Sequence, residues 1–153
     1  MTSKPILVPQ PAVTPYLTVK DAASAIEFYK RAFGATEELR LVEPQGRIGH
    51  AEIVINGSPI MLSDEYPELD VLGPQSRGGS TVGLYLYVDD VDRVFNRAVA
   101  EGATVVRPVA DEFYGDRSGK LADPFGHLWY VATRKENLSA EEMTKRYRDL
   151  MKQ

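Results

Sequence analysis

The sequence predicts an α+β fold: two consecutive βαβββ repeats followed by a C-terminal helix. Three observations predict it. The chain matches itself at a nearly fixed offset, each copy passes between strand-like and helix-like hydrophobic periods, and turn residues punctuate both copies at corresponding places. Residues 15–36 read PYLTVKDAASAIEFYKRAFGAT and residues 84–104 read LYLYVDDVDRVFNRAVAEGAT. Val19-Lys20-Asp21 meets Val88-Asp89-Asp90 at an offset of 69. Gly34-Ala35-Thr36 meets Gly102-Ala103-Thr104 at 68, so the second helix is one residue shorter.

The first strand is expected over 13–19. Asp21 then stands as N-cap of a helix with the apolar stripe Ala22, Ala25, Ile26, Tyr29 and Phe33, and Gly34 stops it. Strands near 36–43, 48–55 and 59–63 follow, the last two joined through Asn56-Gly57, a pair suited to a two-residue hairpin turn. The polar, Gly/Pro-rich stretch 67–80 connects the copies. The second copy opens with a strand over 83–88 and a helix capped by Asp90, with Val91, Val94, Phe95 and Ala98 on its apolar side and Gly102 as its stop. Its strands fall near 104–110, 117–122 and 127–133, with Asp123-Pro124-Phe125-Gly126 carrying type I turn chemistry. Finally Ser139-Ala140-Glu141-Glu142 is a capping box, after which Met143, Tyr147 and Leu150 share a helical face. That face docks either on its own body or on a partner subunit. The organisation is thus one domain over 1–153, with modules at 12–66 and 81–135 and a terminal helix at 139–153.

Composition narrows the function classes. A length of 153 residues, 43% hydrophobic and 26% charged, suits one soluble globular domain. The net charge of −4 and pI near 5.2 argue against a nucleic-acid surface, which needs a basic stripe. With no cysteine, disulfides, thiolate metal sites and cysteine nucleophiles are excluded. Residues 1–13 have no long apolar run, so neither a signal peptide nor a membrane span is expected there, and cytoplasmic residence is the default.

Three segments, VTPYLTVKDAASAIEFYKRAFGA (13–35), IGHAEIVINGSPIMLSDE (48–65) and GKLADPFGHLWYVATR (119–134), resemble the glyoxalase/bleomycin-resistance, or vicinal-oxygen-chelate, superfamily. Within it the chain looks most like the PhnB-like branch. Nothing in the chain resembles the methyl-donor site that the methyltransferase name of some branch members would call for. The resemblance implies curved sheets, or half-barrels, with helices on the convex side and a ligand cavity on the concave side. It also implies a homodimer. Strand alternation then assigns faces. Thr14, Tyr16, Thr18, His50, Glu52, Val54, Pro59, Met61, Ser63, Gly83, Tyr85, Tyr87, Leu128, Tyr130 and Ala132 face the cavity, and Trp129 lies beneath the helix.

Metal-dependent members draw ligands from the first and last strand of each copy. Carried over, those positions are Thr14, Met61, Gly83 and Tyr130, none a credible ligand for a divalent first-row metal. No metal or other cofactor is therefore expected. Of the two histidines, His127 is expected to point away from the cavity, while His50 shares an inward face with Glu52. That pair is either a structural or ligand-contact group or a catalytic acid–base pair. Tyr16, Tyr85, Tyr87 and Tyr130 either wall a binding surface or fill the space themselves. The segment 110–120, ADEFYGDRSGK, resembles a gating loop at the cavity mouth. In it Phe113 and Tyr114 are expected to cap a ligand, and Arg117 to pair with an anionic group, with Asp116 or with Glu112, or to sit solvated.

The expected function is metal-independent binding of a small aromatic or partly apolar molecule, through Tyr16, His50, Glu52, Tyr85, Tyr87, Tyr114, Arg117 and Tyr130. Two alternatives stand beside it: a lyase, isomerase or dioxygenase-type enzyme of the superfamily using His50 and Glu52 or a non-standard metal site, and a dimeric interaction module. The fold by itself does not choose among them.

Overall fold

The computed structural model describes residues 11–153, so the expectation for the amino-terminal residues up to 10 lies outside the described part. Its elements are β1 (Tyr16–Val19), α1 (Ala22–Phe33), β2 (Thr36–Val42), β3 (Ile48–Ile55), β4 (Ser58–Asp64), a 3-10 turn (Pro67–Leu69), α2 (Pro74–Arg77), β5 (Gly83–Tyr87), α3 (Val91–Ala100), β6 (Thr104–Asp111), β7 (Asp116–Ala122), β8 (Leu128–Arg134) and α4 (Ala140–Met151). Two βαβββ repeats are present. Their sheets run β1-β4-β3-β2 and β5-β8-β7-β6, each with one parallel pair at the edge and antiparallel pairs elsewhere. The described chain forms two compact units: one runs to Thr81 and takes in Pro124–Gly126, and the other comprises Val82–Asp123 and His127–Gln153. None of its helices is long and apolar enough to cross a membrane.

In the first unit the helix starts where sequence places it. The Asp21 carboxylate accepts from Ser24 N at 3.1 Å, and Asp64 at the end of β4 accepts from Ala22 N and Ile48 N, both at 2.7 Å. One carboxylate thereby satisfies the first free amide of α1 and the start of β3. Gly34 ends the helix at φ 72°, and Asn56 and Gly57 turn the hairpin at φ 48° and 84°. Leu17, Val19, Ala51, Ile53, Ile55, Ile60 and Leu62 form the buried sheet face against α1.

The helix stripes are corrected in part. Phe28 and Ala32 are buried in α1, whereas Phe33 is only half-buried. The Phe28 ring also meets Phe125, with centroids 6.4 Å apart, so α1 is covered over a wider arc than one stripe. In α3, Val91, Phe95 and Ala98 are buried and Val94 is half-buried. The helix closes on Glu101 in right-handed geometry, one residue before the expected Gly102. The first strand starts at Tyr16 rather than 13, because Pro15 has no amide to give the ladder; its carbonyl instead accepts from Met61 N.

In the second unit the Asp90 side chain caps α3 through Arg93 N at 3.2 Å. Thr133 Oγ1 accepts from Val91 N and donates to Val88 O, each at 2.9 Å. The buried Asp123 accepts from His127 N at 3.0 Å and from the Trp129 indole at 2.9 Å, tying the turn to a tryptophan beneath the helix. The last helix, capped by Ser139, rests on its own unit. Arg146 pairs with Glu136 at 3.0 Å and donates to Phe113 O, and Tyr147 lies 5.4 Å from Phe113. No α4 residue is buried, so Met143, Tyr147 and Leu150 stay largely exposed.

Candidate functional site

The face of the second sheet turned away from α3 carries the tyrosines. Leu86 is buried between Tyr85 and Tyr87, which are 42% and 41% exposed, so alternation on β5 sends both rings to the open face. Register places Tyr85 opposite Tyr130 on β8, and their rings stack at 5.5 Å with planes 14° apart. The Tyr85 and Tyr87 rings are 5.1 Å apart.

Their hydroxyls converge on one group that sequence reasoning missed. Asp116, only 2% exposed, accepts from Tyr85 at 2.9 Å and from Tyr87 at 2.7 Å through the same oxygen. Its other oxygen pairs with Arg134 Nε at 3.2 Å, and Arg134 Nη2 also donates to the Tyr87 hydroxyl at 2.8 Å. Register sets Asp116 opposite Arg134 across β7 and β8. Burial, then the hydrogen bonds that Tyr85 donates to Tyr114 and Asp116, push its phenol far above the ordinary range. Burial and Asp116 raise Tyr87 too, with Arg134 opposing. Both stay neutral donors to a buried carboxylate. Tyr114 completes the cluster, its hydroxyl 3.2 Å from those of Tyr85 and Ser118. A cavity of about 380 Å³ opens here, lined by Tyr85, Tyr87, Tyr114, Arg134, Leu138 and Met143 among others.

Two expectations for 110–120 are corrected. The segment is not a long gate: β6 continues to Asp111 and β7 resumes at Asp116, leaving a short connection, and Phe113 packs on Tyr147 of α4. Arg117 pairs with neither Asp116 nor Glu112. Alternation on β7 turns it to the opposite face, where Asp92 at 2.9 Å and Asp111 at 3.3 Å hold it and raise its basicity further. Glu112 pairs instead with Arg107 at 3.1 Å.

The first unit gathers Tyr16, His50 and Glu52. The Tyr16 hydroxyl lies 2.8 Å from His50 Nδ1, and His50 Nε2 lies 3.4 Å from Glu52 Oε2. His50 and Glu52 are 25% and 15% exposed, while Tyr16 is 51% exposed. Tyr16 also borders a cavity of about 440 Å³ with Thr18, Ser63, Tyr66, Leu69 and Val71. His127 is half-buried beside its turn.

The positions where the resemblance would put metal ligands do not suit one. A Cβ on Gly83 would meet Tyr130 Cε2 at 2.5 Å, so the Tyr130 ring takes the room a side chain at 83 would need. Met61 offers only a thioether, and Thr14 precedes β1. Among the described residues no three His, Asp or Glu side chains gather to hold an ion.

A sequence model of the Glyoxalase/Bleomycin resistance protein/Dioxygenase superfamily matches residues 10–131. The chain belongs to this superfamily. An uncharacterised protein of Mycobacterium bovis is 44% identical over 137 residues, covering 88% of this chain and 90% of that protein. The crystal structure of protein PA1353 from Pseudomonas aeruginosa superposes with a TM-score of 0.69 at 27% identity, covering 83% of this chain and all of that one. The PhnB protein of Bacillus cereus shares the fold, with a TM-score of 0.64 at 20% identity, over 80% of this chain and 99% of that one. Superfamily membership fixes the βαβββ repeat. It does not fix chemistry, which rests on the side chains of this chain.

Proposed function

We propose that the protein binds a small molecule with an aromatic or partly apolar body on the tyrosine face of the second sheet, without the help of a metal. The observation that carries this reading is the half-exposed Tyr85 and Tyr87 pair, held by the buried Asp116. Tyrosines that merely filled space would be covered. These keep part of each side chain exposed while Asp116 holds their hydroxyls, which orders the rings before a ligand arrives and lowers the entropic cost of binding. Leu138 and Met143 add apolar wall, and the exposed Arg134 guanidinium adds a polar edge.

The test is a thermal-shift screen of the full chain against aromatic metabolites and antibiotics, followed by calorimetry on each hit. Tyr85→Ala should leave the fold intact and weaken a hit by about 0.5–1.5 kcal/mol beyond the area lost. A mutant that unfolds, with Tyr85→Phe binding as wild type and no hit lost, would make these tyrosines core residues. Elemental analysis should find no stoichiometric Zn, Ni, Fe or Mn; about one metal per chain, needed for binding, would overturn the metal-independent reading.

A further inference from the structure

The first unit holds a carboxylate, an imidazole and a phenol in a line, on residues other than those of the binding face just described. We propose that Tyr16 is a nucleophilic hydroxyl, activated by His50 as general base with Glu52 as its positioning residue, and that its cavity admits small acyl donors. The tautomer follows from the neighbours. A carboxylate beside Nε2 favours the proton there, so Nδ1 keeps its lone pair for the Tyr16 hydroxyl at 2.8 Å. This is the order of parts by which a third group orients a base and the base activates a nucleophile.

The surroundings fit that use. The phenol-bearing residue is the most exposed member of the line and the carboxylate the least, so the nucleophile's side chain reaches solvent while its supports are held in the sheet. Register fixes them: Glu52 is opposite Met61 on β4, and Met61 is opposite Tyr16 on β1. Tyr16 borders the cavity of about 440 Å³, where Leu69 and Val71 give an apolar wall and Thr18 and Ser63 give hydroxyls. In the step itself, the Tyr16 oxygen forms a bond to the acyl carbon as its proton passes to His50 Nδ1. The bond from that carbon to the leaving group breaks, and the leaving group takes up a proton.

The chain supplies its own control. Tyr147 is 51% exposed, as is Tyr16, but makes no contact with a histidine, and Tyr29 is fully buried. Wild-type protein treated with limiting N-acetylimidazole at neutral pH, then digested and read by mass spectrometry, should carry acetyl on Tyr16 at least about tenfold faster than on Tyr147. That threshold is about a tenth of the low end of general-base assistance, about 10²–10⁴-fold. His50→Gln should bring Tyr16 down to the Tyr147 rate and abolish a solvent deuterium isotope effect on Tyr16. Glu52→Gln should slow Tyr16 while keeping the isotope effect. Tyr29 must stay unlabelled in every variant, and where His50→Gln labels it, His50→Asn is read in its place. Equal rates at Tyr16 and Tyr147 in the wild type, or a Tyr16 rate that neither His50 variant lowers, would overturn the proposal.

Discussion

The two sheets share a pairing scheme and differ on their open faces. Across the first, Leu39, Glu52, Met61 and Tyr16 are successive register partners; across the second, Arg107, Lys120, Tyr130 and Tyr85 take the same places. A leucine, a carboxylate and a thioether in one correspond to a guanidinium, an ammonium and a phenol in the other. Beneath the sheets the two agree in role even where residues change. Asp64 and Thr133 both accept the first free amide of their helix, and Ile60 and Trp129 both lie under it. The covered face must satisfy amides and fill volume, so its changes keep function within the fold. The open face meets no such demand, and there the first unit built a proton line and the second an aromatic wall.

The largest test of this contrast is under the helices. Trp129→Ala should cost about 3–5 kcal/mol in urea unfolding, since it empties a large site and strips Asp123 of its indole donor. Ile60→Ala should cost about 2–4 kcal/mol. A Trp129 effect below that of Ile60 would mean that the second unit is not anchored through this residue.

On the open face the second unit should be the more sensitive. Asp116→Ala leaves two phenols and a guanidinium without their acceptor, at about 2–3 kcal/mol. This stays below the usual cost of breaking a buried pair because Arg134 is 55% exposed and water can replace part of the loss. Gly83→Ala should follow at about 1–2 kcal/mol, as the new methyl displaces Tyr130 from its stack on Tyr85. Thr14→Ala, at the matching place of the first unit, should change stability by less than about 0.5 kcal/mol. Equal effects at 83 and 14 would erase the distinction between the faces.

The smallest effect is in alkaline solution. Tyr85 and Tyr87 have phenols raised above their unfolded value, so the stability they confer is fully present below about pH 10, the ordinary phenol value. It is lost progressively as pH rises beyond that, because the unfolded chain ionises first. Tyr85→Phe should therefore shallow the fall in stability above about pH 10. Phenolate absorbance of the wild type should show a phase above the ordinary phenol range that Tyr85→Phe removes.

Much of the molecule was legible in the sequence because its signals are local. Asp21, Asp90 and Ser139 cap helices through amides three residues away, and Asn56-Gly57 turns a hairpin through its own two dihedral angles. Alternation also brought Tyr16, His50 and Glu52 to one face of a sheet, and Tyr85, Tyr87 and Tyr130 to one face of another. It was not applied to Arg117, which fell both in the segment read as a gating loop and at the start of the strand expected near 117–122; with β7 starting at Asp116, Arg117 must face α3.

By itself, then, the sequence determined the repeat, the order of the strands and of the three longer helices, the helix N-caps, the hairpin turns and the buried side of β1, β3, β4, β5 and β8. All of these follow from residues near one another in the chain and from the periods of helix and strand. The tertiary structure alone decided which polar groups meet. That Asp116 gathers Tyr85, Tyr87 and Arg134, and that Tyr16 reaches His50 across 34 positions of chain, depends on strand register and side-chain rotamers. Those are set by how the whole sheet packs, because a hydrogen bond tolerates only a few tenths of an ångström and no local pattern fixes distances that finely.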